Sequence, residues 1–201
     1  MIDREIVGTL HGVVVEVAAW DGSAAEVDLS CAGMFTQTLA GGPPVGGLAH
    51  LDEALGGALT ALRDEGGFGA TAGEILHIER PPAAVAASAV LIVGLGAPQG
   101  WTAAGLAPAV RLAASIALGL GVRTAAFAPG MLDSGLHPEQ TADAPAAMIA
   151  GLAAAIGAHV RLRALDLAGA PALSRWSFDV GQARFGGAVD SFRSALAAVR
   201  C

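Results

Sequence analysis

The sequence predicts an α/β chain, a three-layer α/β/α sandwich around a mostly parallel or mixed central sheet. Three observations carry the expectation. A β-branched run, "IVGTLHGVVVEV" at 6–17, opens the chain; "AVLIVGLG" at 89–96 is continuously apolar, as befits a strand covered on both faces; and helical leucine or alanine stripes fall between such runs. At 201 residues and 54% hydrophobic content, a single domain spanning 1–201 can bury its own core.

In order, 6–17 reads as one or two strands, its glycines marking bends. "WDGSA" is a polar turn and "AEVDLS", 25–30, a further strand. A Gly/Pro loop from residue 38 leads to one helix in which Leu48, Leu51, Leu55, Leu59 and Leu62 recur at three and four, stopped by Gly66 and Gly67. "GEILHIERP" alternates as a half-buried strand. After 89–96 a helix starts near Pro108, with only Arg111 and Ser115 polar in "PAVRLAASIALG". "RTAAFAPG" is a strand and 130–145 a loop. A helix from Ala144 to Ile156 carries Met148, Ile149 and Leu152 on one side, and "AHVRLRALDLA" alternates like an edge strand. Phe185, Val189, Phe192, Leu196 and Val199 stripe a last helix.

Composition excludes several functions. Residues 81–110 lack a formal charge, but Pro81, Pro82, Pro98 and Pro108 punctuate them, so no membrane span is expected despite a mean hydropathy of +0.59. Asp3, Arg4 and Glu5 deny the start a signal-peptide character, which implies a cytoplasmic protein. Net charge is −7 and no basic cluster exceeds "RLR", so nucleic acid is not an expected partner. Cys31 and Cys201 form no framework or metal set, and His11, His77 and His159 show no ligand spacing. No metal and no cofactor is expected.

Gly94, Gly96 and Gly100 space as G-x-G-x-x-x-G, one residue longer than the dinucleotide fingerprint. No Asp or Glu follows before residue 133, so the ribose anchor of nicotinamide enzymes is missing. A glycine pair at a strand end can still offer N–H groups to an anion. Asp133, Ser134 and His137 share a loop, but without a nucleophile elbow they read as turn residues rather than a triad, and no catalytic residue is assigned. Asp52 reads as a first-turn acid favouring its helix dipole.

Three stretches in order, "LDEALGGALTALRDEGGFGATAGEILHI", "AVLIVGLGAPQGWT" and "AMIAGLAAAI", resemble the N-terminal, non-catalytic domain of leucyl aminopeptidases, most strongly over 48–156. That domain is similar to macro domains, which bind ADP-ribose, and 41–50 and 127–138 resemble their two glycine-containing loops. The resemblance implies a macro-domain-like fold. The family's peptidase signature is not in the sequence, and its essential lysines cannot be, since Lys and Asn are absent. The expected function is that of a stand-alone non-catalytic domain, binding a nucleotide or ADP-ribose-like anion through Gly41, Gly42, Gly47, Gly94, Gly96, Gly130, Ser134 and Gly135, or binding a partner protein. Two alternatives are an assembly or regulatory subunit of a separately encoded peptidase and a small hydrolase using the 133–137 loop. With only 14% charged residues, a homo-oligomer is expected, and the terminal-helix stripe could dock either on its own sheet or on a second copy.

Overall fold

The computed structural model describes residues 3–40, 42–131, 134–136 and 138–199. Strands β1 (Arg4–Leu10) and β2 (Val13–Ala18) form a hairpin whose two-residue turn puts His11 at φ 46° and Gly12 at φ 88°. Positive φ at both turn positions matches the right-handed twist of the flanking strands. The other strands are β3 (Leu29–Phe35), β4 (Ile75–Ile78), β5 (Ala89–Gly96), β6 (Thr124–Ala128) and β7 (Arg175–Asp179).

All seven join one sheet in the order β1-β2-β7-β6-β3-β5-β4. The pairs from β2 through β5 are parallel, while β1 and β4 run antiparallel at the two edges. The sheet is therefore mixed, and its parallel strands end together on one side.

Helices α1 (Gly46–Ala54) and α2 (Ala58–Asp64) cover one face; α3 (Leu106–Leu120), α4 (Ala144–Ala164) and α5 (Phe185–Val199) cover the other. Alternation along the strands feeds both cores. On β5, Leu91 and Val93 face α3 and α4 whereas Val90 and Ile92 face α1 and α2. Gly151 lets α4 approach α3 closely, because a Cβ there would collide with the Ala107 carbonyl. By length and composition alone Ala103–Leu120 and Ala144–Ala164 could cross a membrane, yet Leu106, Val110, Ile149 and Leu152 pack from them into the sheet core.

Several local expectations change. The leucine helix is two helices, since Gly56 and Gly57 both take left-handed φ. Asp52 does not serve the start of its own helix. Its Oδ1 accepts the Leu59 and Thr60 N–H groups at 2.8 and 3.3 Å, and its Oδ2 accepts the Thr60 hydroxyl, so it caps α2. The strand begins only at Leu29: the Val27 N–H turns back onto the Ala25 carbonyl, while the Val27 and Asp28 carbonyls accept the Ser88 and Ala89 N–H groups ahead of the regular ladder. The alternating stretch after Ile156 continues α4 instead of forming a strand. Its Arg, Leu and Ala residues are good helix formers, and Arg161 and Arg163 in the last turn complement the negative helix end.

Strand β7 escapes the sequence reading altogether, though Trp176 and Phe178 alternate with Ser177 and Asp179. The α5 stripe docks on its own sheet: Val189, Phe192 and Leu196 are buried, and Phe192 stacks on Phe178 with centroids 4.7 Å apart. Cys31 lies fully buried in β3, and burial pushes its thiol pKa far up. Cys201 lies outside the described residues.

Candidate binding cleft

A cleft of about 370 Å³ opens where β2, β7, β6 and β3 end. The carboxyl ends of parallel strands are where open α/β sheets hold ligands, because the connections to the next helices diverge there. Four segments build it: Ala19–Gly22 after β2, Gly47 to Leu51 in the first turns of α1, Ala128–Met131 with the start of α4, and Asp179–Arg184 between β7 and α5.

Backbone meets backbone at two points of its wall. Gly130 has φ 62°, and a Cβ there would strike the Gly33 carbonyl; Gly22 has φ 49°, and a Cβ there would strike the carbonyl of Gly47. Both positions exclude side chains sterically and conformationally, which leaves main chain along the surface. Apolar groups complete the walls, among them Trp20, Leu48, Met131 and Met148. The buried Trp20 indole Nε1 has no hydrogen-bond partner among the described residues.

Charge is sparse and placed. Asp21 at the rim accepts from, or pairs with, His50 Nδ1 at 2.6 Å, and both side chains are largely exposed. Asp179 is buried, its Oδ1 accepting the Gly181 N–H at 3.1 Å. Arg184 contributes a guanidinium from the short 3-10 turn before α5.

The cleft gathers Gly47 and Gly130 from the glycines singled out in the sequence. Gly42 is exposed outside it, near the Thr38 hydroxyl, and Gly135 is exposed beside Leu39. Ser134 is buried behind Gly130, its Oγ donating to the Gly130 carbonyl at 3.0 Å, so its hydroxyl secures the loop. Gly94 and Gly96 turn toward residues 70–72: a Cβ on Gly94 would strike the Thr71 carbonyl, and the Gly96 N–H donates to the Ala70 carbonyl at 3.0 Å. The loop at 94–100 thus supports a neighbouring segment and does not line the cleft. Gly41, Asp133 and His137 lie outside the described residues.

Sequence reasoning missed Trp20–Gly22 and Asp179–Arg184. An Asp-Gly pair after a strand signalled the first; the second depends on β7, which the sequence pattern did not mark. Among the described residues no group of three or more His, Cys, Asp or Glu is placed to hold a metal ion.

The sequence profile described as "Cytosol aminopeptidase family, N-terminal domain" matches residues 34–157, more than half of the chain. The chain belongs to that family. Its fold matches a tomato leucine aminopeptidase mutant at TM-score 0.62 and 21% identity, covering 85% of this chain and 33% of that one. The family domain therefore spans about a third of the length of that aminopeptidase. An Oceanobacillus iheyensis macrodomain with ADP matches at TM-score 0.68 and 12% identity over 100% of this chain and 98% of the other. A Trypanosoma brucei macrodomain in complex with ADP matches at 0.57 and 18%, over 90% and 68%. At these identities the likeness establishes the macro-domain-like fold. No curated protein sequence matches the chain.

Proposed function

We propose that the chain is a non-catalytic binding domain whose cleft takes a nucleotide-like anion of the ADP or ADP-ribose class. The observation that carries the reading is the cleft itself, at the ends of four parallel strands, walled by close-packed backbone at Gly22, Gly47, Gly33 and Gly130. Backbone there and the positive ends of α1 and α4 favour an anion, and the apolar walls suit an aromatic body. The two macrodomain neighbours with ADP support the ligand class by fold analogy. Of the glycines singled out in the sequence, Gly47 and Gly130 belong to this proposed site, joined by Gly22, Gly33 and Gly181.

Calorimetric titration with ADP and ADP-ribose, with intrinsic tryptophan fluorescence, to which the cleft residue Trp20 contributes, as a second readout, tests the reading. Saturable heat and a fluorescence change are expected; neither signal with either ligand refutes it.

A second reading is supported by a different surface. Leu162, Leu165 and Leu167 are 44%, 67% and 71% exposed at and beyond the end of α4, and the relationship to a longer aminopeptidase gives such a face a candidate partner. In that reading the domain serves as an assembly or regulatory subunit of a separately encoded peptidase. Co-purification of peptidase activity that Leu165→Asp abolishes would support it. Recovery of the same activity with the variant would remove this face from consideration.

A further inference from the structure

We infer that Arg184 reads the charge of the cleft's ligand, so that the ligand presents an anion, a diphosphate best of all, on an aromatic body. The inference rests on the nucleotide reading and deepens it by assigning the cation. Arg184 is the sole basic side chain among the described residues lining the cleft. It is half-buried there, and its guanidinium makes no hydrogen bond or ion pair with another described residue.

Four other arginines of the chain are engaged. Arg63 lies 3.8 Å from Asp64, Arg175 lies 3.8 Å from the buried Glu16, Arg193 bonds both Asp190 and Glu5, and Arg4 sits over the Trp20 ring. What sets Arg184 apart is its place: it lines a cleft and has no acid partner there among the described residues. Partial burial raises the cost of leaving a charge uncompensated, and a bound anion supplies the compensation.

The two carboxylates in the same cleft are already engaged: Asp21 with His50, and Asp179 with the Gly181 N–H. They remain acceptors, since a carboxylate has several lone-pair sites, and they suit hydroxyl or amino groups on the ligand body. Anion and body are thereby assigned to different groups. A planar guanidinium can take two phosphate oxygens at once, which a lysine cannot reproduce.

The test compares ADP, adenosine and inorganic pyrophosphate on the wild-type chain, Arg184→Gln and Arg184→Lys by calorimetry. Wild type is expected to prefer ADP over adenosine. Arg184→Gln should lose about tenfold or more in ADP affinity while its adenosine affinity stays the same, and Arg184→Lys should fall between. Added salt should weaken ADP binding more in wild type than in Arg184→Gln. The unliganded melting temperature of Arg184→Gln should match wild type, since the side chain makes no hydrogen bond or ion pair with another described residue.

Equal ADP affinity in wild type and Arg184→Gln overturns the assignment and leaves the cleft reading standing. A parallel loss for ADP and adenosine also overturns it, by showing a structural role. Failure of all three probes to bind wild type removes the cleft reading and this assignment together.

Discussion

Asp52→Ala should destabilise the fold by about 2 kcal/mol, and Asp52→Asn by less than about 1. The magnitude comes from the bonds at the break between α1 and α2. Truncation leaves the Leu59 N–H, at a residue with no exposure, without its acceptor at 2.8 Å, and weakens the Thr60 end of the same cap. An unsatisfied buried donor costs roughly 1–3 kcal/mol and loss of a cap typically about 1; these overlap here, since the cap is the acceptor lost. Asparagine keeps an oxygen for Leu59 and an amide for Thr60, so most of the cap survives. Urea unfolding with unchanged slope measures both variants, and in a chain of this size 2 kcal/mol corresponds to a melting shift of about 4–8 °C. The contrary account is electrostatic: as a first-turn acid, Asp52 would act by charge, and Asn and Ala would be equally costly at some tenths of a kcal/mol. Equal effects of the two substitutions would therefore refute the capping argument.

Other expectations rest on burial and charge. In a Cys201→Ser chain, Cys31 should resist a thiol reagent in the native state and react only after denaturation, because burial pushes its thiol pKa far up; rapid native labelling would contradict its position in β3. Burial alone would raise the Asp28 carboxyl, but the N–H groups of Arg123 and Thr124, the Thr124 hydroxyl and the Arg123 charge outweigh it and hold the pKa below its ordinary 3.8. The stability it contributes is thus present above the unfolded pKa and lost as pH falls through the lower folded value, so Asp28→Asn should flatten the acid limb of a stability–pH curve; an unchanged limb would show that the pairing contributes nothing. Light scattering should report a mass above one chain at micromolar concentration, reduced by Leu167→Asp; a single-chain mass that persists as concentration rises would refute self-association.

What the sequence makes legible depends on whether one period dominates. The β-branched run at 6–17, the unbroken apolar run at 89–96 and the helical stripe on α5 each admit one reading, and each forms the element its pattern predicts. Where two periods fit the same letters, the pattern misleads. His159, Arg161 and Arg163 alternate with apolar neighbours, yet Ile156 and Val160 are also four apart and continue the packed face of α4 into the core. Helical hydrogen bonding already running from Ala144 then extends at little cost, whereas a new strand would need an edge to pair with.

The site is less legible than the fold because proximity across strand ends is topological. Gly94 and Gly96 stand out through their spacing, but β5 lies beyond β3, outside the four strand ends that frame the cleft, and β4 with the 70–72 segment packs against its exit. Asp179 and Arg184 stand out in no such way, because their importance depends on β7 being inserted between β2 and β6. Once β7 is there, its exit from Asp179 to Gln182 lines the cleft, and Arg184, five residues after Asp179, joins the same wall. The chain order separates Gly22, Gly47, Gly130 and Arg184 by as much as 162 residues, and only the parallel crossovers return them to one side of the sheet.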